Sequence, residues 1–172
     1  MKIERIWSMP SRWTYKIKPI KDLLHKYVGN GFLINGLWCD PFCGKYSEAQ
    51  KTNDLNPKIP AKSHLDALVY LRQWGNSFFD GVLFDPPYSP SQVKECYEGL
   101  GLEMFANCAR QDYWANCKDE IKRILKPNGV VISFGWNTNG LGKGRGFKMI
   151  EILIIPHGGA KNDTLVTVET KI

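Results

Sequence analysis

Four consecutive residues, Asp85-Pro86-Pro87-Tyr88, offer the most specific chemistry in this 172-residue chain. They follow Gly81-Val82-Leu83-Phe84, a continuous apolar run of the kind that forms a central parallel strand. Open α/β sheets bind their ligands at the carboxyl ends of such strands. Two prolines fix the backbone there and bring no N–H to occupy nearby carbonyl groups. What remains is a rigid platform with one carboxylate, exposed carbonyl oxygens and an aromatic face. A planar group bearing an –NH2 matches this set: the carboxylate and a carbonyl each accept one amino hydrogen, and the ring stacks on Tyr88. Without a ligand, the same four residues would be a proline-stiffened strand end.

Two further segments fall at predicted strand ends. Asp40-Pro41-Phe42-Cys43-Gly44 follows Leu37 to Asp40, and Asn53-Asp54-Leu55-Asn56-Pro57 closes Lys51 to Leu55. A tight turn with a glycine lets a ligand approach the backbone, and an acid at the next strand end can take ribose hydroxyls. Taken singly, Asp40 could cap a turn and Asp54 could be an ordinary loop acid. Their order along the chain (strand and turn, acid, Asp-Pro-Pro-Tyr) ties them together.

With these residues the chain resembles the class I S-adenosylmethionine-dependent methyltransferases that modify exocyclic amino groups, and among them the small phage and prophage adenine-N6 DNA methyltransferases. The resemblance spans nearly the whole chain. It implies that Asp40, Pro41, Phe42 and Gly44 hold the methionine end of S-adenosylmethionine, that Asp54 takes the ribose, and that Asp66 lies near the cofactor's adenine. Lys16-Ile17-Lys18-Pro19-Ile20 is similar to a motif that closes over the methionine moiety, which implies Lys18 and Pro19 as cofactor contacts. Asp85, Pro86, Pro87 and Tyr88 match the catalytic motif. Implied with them are adenine in DNA as substrate, base flipping and direct in-line methyl transfer. An RNA amino-methyltransferase, and a silent binding protein on the same fold, are the alternatives. Tyr46 stands where the family's first motif has a second glycine. Only 14 positions separate Asp40 from Asp54, against about 20 in a nucleotide-binding unit of this kind. The helix after the first strand is therefore expected to be a turn or absent.

The elements that must position these groups are readable from periodicity. From Pro19 to Val28 the apolar residues fall on one helical face, with Pro in the first turn and Gly29 after the end. His64 to Trp74 and Tyr113 to Leu125 are further amphipathic helices, and Asp66 sits where an acid would start the first of them. Residues 89–112 read as a broken helix or long mobile loop. Val130 to Phe134 is a buried strand, and Lys148 to Ile155 with Thr164 to Glu169 form a closing hairpin. Helices alternating with buried strands predict one α/β domain over residues 1–172. Its sheet is Rossmann-like and mainly parallel, with an antiparallel C-terminal edge hairpin and no separate target-recognition domain.

Composition sets the outer limits. The chain is long enough for a core of its own, and no apolar run approaches the ~18 residues of a membrane span. The first residues lack the apolar stretch of a signal peptide, so the expected compartment is the cytoplasm. Five cysteines without a Cys-x-x-Cys pair fit reduced thiols, and three scattered histidines give no metal pattern. Within the net charge of +6, residues 1–26 carry seven basic side chains against two acidic ones. Basic residues interleaved with Trp7, Trp13 and Tyr15 suit a phosphate-rich partner, although a merely solvated surface would look the same. Arg5, Arg12 and Lys16 are the candidates there, with Lys143 and Arg145 in the glycine-rich segment 135–146. The expected partners are DNA and a second subunit or another protein that supplies target recognition.

Overall fold

The computed structural model describes residues 1–30, 35–102, 111–159 and 161–172. Seven strands form one sheet: β1 (Lys2–Arg5), β2 (Trp38–Asp40), β3 (Lys51–Thr52), β4 (Phe79–Phe84), β5 (Leu125–Gly135), β6 (Phe147–Ile155) and β7 (Thr164–Lys171). Their order across the sheet is β1-β6-β7-β5-β4-β2-β3. β7 is antiparallel to both of its neighbours, and the other pairings are parallel. The closing hairpin thus forms where expected. Its outer strand is not the edge, however, because β1 pairs along β6 from Lys2↔Glu151 to Arg5↔Ile154. A four-residue strand with mostly exposed side chains leaves almost no periodic trace, so β1 was not legible.

Helices cover both faces, as a buried parallel sheet requires. α1 (Lys18–Tyr27) packs Ile20, Leu23 and Leu24 against Trp38, Leu83, Ile132 and Val166. On the other face α2 (Ala67–Arg72), α3 (Pro90–Glu98) and α4 (Gln111–Ile124) cover Cys39, Val82, Phe84 and Val131. Side chains alternate along β4: Val82 and Phe84 enter one core, Leu83 the other. Between β2 and β3 the chain makes only turns, so the expected loss of the first crossover helix is observed. The segment expected to be a broken helix or loop begins as an ordinary helix, with Ser89 capping α3 by accepting from the Gln92 N–H at 3.2 Å. Its stretch 103–110 lies outside the described residues. α4 ends at Ile124, and Pro127-Asn128-Gly129 makes a bulge inside β5 rather than a linker after the helix: Phe79 pairs with Leu125, then Gly81 with Val130. Among the described residues no helix is long and apolar enough to cross a membrane.

Candidate active site

The carboxyl ends of β2, β3 and β4 open into a cleft of about 630 Å³. Pro41, Phe42 and Gly44 line it from the β2 turn, Asp54 from beyond β3, Asp66 from the start of α2, and Asp85 to Tyr88 from the end of β4. Segments more than 40 residues apart in sequence thus meet at one cleft. Gly44 has φ +53°, a conformation that suits glycine, and the Asp54 carboxylate accepts its N–H at 3.1 Å. The fully buried Asn53 holds the turn from below. Its amide donates to the carbonyls of Pro41 and Leu65 and accepts from the Leu65 N–H. Nothing in the spacing singles out Asn53, because an amide working between two turns has no local signature.

Asp85 is partly buried on the cleft wall. Burial pushes its carboxyl up to about 6, against the opposing hydrogen bonds from Tyr88 and Thr14. The Tyr88 hydroxyl donates to Asp85 Oδ1 at 2.5 Å, and the Tyr88 N–H donates to Gln92 Oε1 at 2.6 Å. Tyr88 was expected to offer only a ring face. Its hydroxyl instead turns back on the carboxylate, while the ring meets Trp136 edge-on at 5.3 Å. Beyond Pro86, Pro87 and Trp114, which line both spaces, lies a side cavity of about 190 Å³.

Asp40 takes a different role from the one expected. It is fully buried and does not line the cleft. Its carboxylate accepts from the Phe42 N–H at 3.0 Å, the Tyr15 hydroxyl at 2.9 Å and the Ser47 hydroxyl at 2.6 Å. It therefore clamps the turn rather than touching a ligand. Burial raises it to about 7 despite these donors, and the nearby Asp85 adds to the rise. Lys18 and Pro19 are also not brought to the cleft. Lys18 pairs with Asp22 on the exposed side of α1, and Pro19 is buried in its first turn. The chain passes the cleft four residues earlier, in the single 3-10 turn Thr14–Lys16, so Trp13, Thr14 and Tyr15 line it instead.

Asp54 and Asp66 both face the cleft, with different capacity left over. Asp54 accepts one backbone N–H on each oxygen, from Gly44 and from Asn56, and keeps lone pairs for further donors. Burial raises its pKa. This partly buried acceptor beside a glycine turn fits a ribose. Asp66 caps α2 with Oδ1, accepting from the Leu68 and Val69 N–H groups, while Oδ2 accepts from the hydroxyls of Tyr97 and Tyr113. It draws α3 and α4 onto α2 and is already heavily engaged.

The basic candidates separate. Arg12 lines the cleft, with Lys16 beside it over Tyr46, whereas Arg5 ends β1 at the far edge of the sheet and lines neither space. Lys143 and Arg145 do not share the edge with Asp85. The segment leaves the top of β5 but descends to the start of β6, where Phe147 pairs with Lys171 at the opposite end. It is pinned rather than loose. Glu169 accepts from the Leu141 and Gly142 N–H groups at 2.6 and 2.9 Å, Lys118 donates to the Gly140 carbonyl, and Arg145 pairs with Asp119. A β-carbon on Gly140 would collide with the Glu169 carboxylate.

No protein-family model matches the sequence, and no curated protein matches it either. Solved structures do match in shape. The 1,6-didemethyltoxoflavin-N1-methyltransferase of Burkholderia thailandensis, solved with its substrate and S-adenosylhomocysteine, aligns with a TM-score of 0.53 at 14% identity, covering 90% of this chain and 77% of that one. The N-methyltransferase NodS of Bradyrhizobium japonicum gives 0.51 at 11% identity over 89% of this chain and 97% of its own. TrmN of Thermus thermophilus gives 0.53 at 17% identity over 91% of this chain, which spans 49% of that protein. The chain thus has the Rossmann-like fold of the class I S-adenosylmethionine-dependent methyltransferases.

Proposed function

We propose that the chain transfers a methyl group from S-adenosylmethionine to the N6 amino group of adenine in DNA. The observation that carries this reading is Asp85. It is a carboxylate at the end of β4, raised to about 6, set on the cleft wall and followed by two residues that lack an N–H. When bound, S-adenosylmethionine supplies a methyl on a positively charged sulfur, transferable to a nitrogen lone pair. Asp54 would hold its ribose, and the Gly44 turn would let it approach the backbone. The methyltransferase fold and the cleft volume agree with a nucleoside of this size.

An adenine amino nitrogen shares its lone pair with the ring and is a weak nucleophile. Asp85 can accept one amino hydrogen and a neighbouring carbonyl of the Pro86 segment the other, which favours a pyramidal nitrogen with a usable lone pair. The methylated nitrogen carries a positive charge until it sheds a proton. A carboxylate of pKa about 6 is ionised at neutral pH and lies within reach to take that proton. Positioning supplies the remainder of the rate. A base in a duplex reaches such a cleft only by leaving the stack.

The test is transfer of labelled methyl to DNA, RNA and free adenosine, side by side, with nucleoside mass spectrometry of the products. N6-methyladenine in DNA is the expected product, and Asp85→Ala should reduce its formation by about 100-fold or more while S-adenosylhomocysteine affinity stays within a few-fold. Label in RNA alone would reassign the substrate. Loss of cofactor affinity equal to the loss of transfer would remove Asp85 from its role.

A further inference from the structure

The mouth of the cleft carries a group of side chains that the transfer chemistry leaves unused. Trp13 and Tyr46 meet edge to face there, with centroids 5.8 Å apart and an interplanar angle of 73°. The Arg12 guanidinium lies 5.4 Å from the centre of the Trp13 ring and the Lys45 ammonium 5.5 Å from it, while the Lys16 ammonium lies 4.9 Å from the centre of Tyr46. All three cations are exposed, and among the described residues none of them is paired with a carboxylate. Of the other lysines in residues 1–26, Lys2, Lys18 and Lys26 are matched with Glu4, Asp22 and Glu151, and Lys21 stands exposed on α1, away from the cleft.

Three like charges gathered without an acid repel one another, and aromatic faces offset that only in part. Such a rim is complementary to a ligand that alternates negative charge with planar groups. A duplex offers phosphates but keeps its bases stacked inside. An unpaired strand offers both, and stacking platforms set in a cationic groove are the general means of holding one. Tyr46 is 42% exposed, which leaves aromatic surface for a base to cover.

We propose that Arg12, Lys16 and Lys45, with Trp13 and Tyr46, bind the unpaired nucleic-acid strand that flanks the acceptor nucleotide. The phosphates lie on the three cations and a neighbouring base stacks on Tyr46. The inference rests on the nucleic-acid reading above and deepens it: the acceptor is presented from single-stranded substrate, and the rim holds the strand.

Fluorescence anisotropy of a labelled, adenine-containing single strand and of its duplex, each titrated with salt, provides the test, together with calorimetry of S-adenosylhomocysteine. The single strand should bind at least about 10-fold more tightly than the duplex. Arg12→Ala/Lys16→Ala/Lys45→Ala should lower the slope of log K against log salt by about two, from three lost phosphate contacts at ~0.7 each. Tyr46→Ala should weaken strand binding roughly 10-fold with the slope unchanged. S-adenosylhomocysteine affinity should hold in both variants. An unchanged slope, a preference for duplex, or a fall in S-adenosylhomocysteine affinity in step with strand binding would overturn the proposal, the last by giving the rim to the cofactor. Wild-type protein that binds the strand as described yet methylates no adenine would instead overturn the transfer reading and leave the rim in place.

Discussion

Tyr88 donates its hydroxyl to Asp85 at 2.5 Å, so the two residues work as one unit. From the sequence, Tyr88 reads as a stacking face, and phenylalanine would then be a mild replacement. In the structure, Tyr88→Phe removes a hydrogen bond that holds the Asp85 carboxyl down. We expect its acid limb to shift upward in pH, with activity at pH 6 falling more than activity at pH 8; superimposable pH–rate profiles for the two proteins would contradict this. The motif itself was legible because all four residues are adjacent. Its supports were not, since Thr14 and Tyr15 reach Asp85 and Asp40 from a distant segment. Asp40 was legible as an important acid but not as a buried clamp, because a motif does not reveal which way its carboxylate points.

At the level of elements, the crossing segment between β5 and β6 departs most from its sequence. Five glycines with Lys143 and Arg145 read as a flexible basic loop, yet Glu169 of β7 grips its middle. Glu169→Ala should leave two N–H groups without their acceptor and cost roughly 2–4 kcal/mol, measurable by urea denaturation; a loss within 0.5 kcal/mol, about that of an ordinary surface change, would show that the segment holds without it. Lys143→Ala/Arg145→Ala should leave the salt dependence of strand binding unchanged, since both residues lie at the sheet end away from the cleft. A reduced slope in that salt titration would bring the nucleic acid round to the far side. Helices α1 and α4 were legible because their apolar stripes are long. α2 spans only six residues, and its place rested on Asp66, the residue that caps it.

For the molecule as a whole, the site carries a thermodynamic burden. The Asp85 and Asp40 carboxyls are raised from 3.8 to about 6 and about 7, so in the folded state their ionised forms are disfavoured. Their contribution to stability is complete below about pH 4 and is lost as pH rises through 6 and 7. Glu151 acts in the opposite sense: burial is outweighed by Lys26, Tyr27 and Lys2, which lower its pKa and stabilise the fold once it ionises. Asp85→Asn should therefore be more stable than the parent at pH 8, by about 1–2 kcal/mol after allowing for the partial exposure of the side chain, and equal to it near pH 4. Equal denaturation midpoints at both pH values would mean that the carboxyl titrates normally. The fold class was legible from alternating helices and buried strands. The sheet order was not, because β1 is placed by β6, nearly 150 residues later.

That pairing also sets the order of events during synthesis. β7 lies inside the sheet, between β5 and β6, and among the described residues β1 pairs with β6 alone. During synthesis β1 therefore lacks its partner until β6 has been made, and the site-bearing strands β2 to β4 are complete before β5 follows them, itself bare on one flank until β7 is made. A nascent chain stalled after β6 would expose the long edge of β5, apolar on both faces, to any other strand nearby. β7 is thus the strand that covers this edge of β5 in the folded sheet.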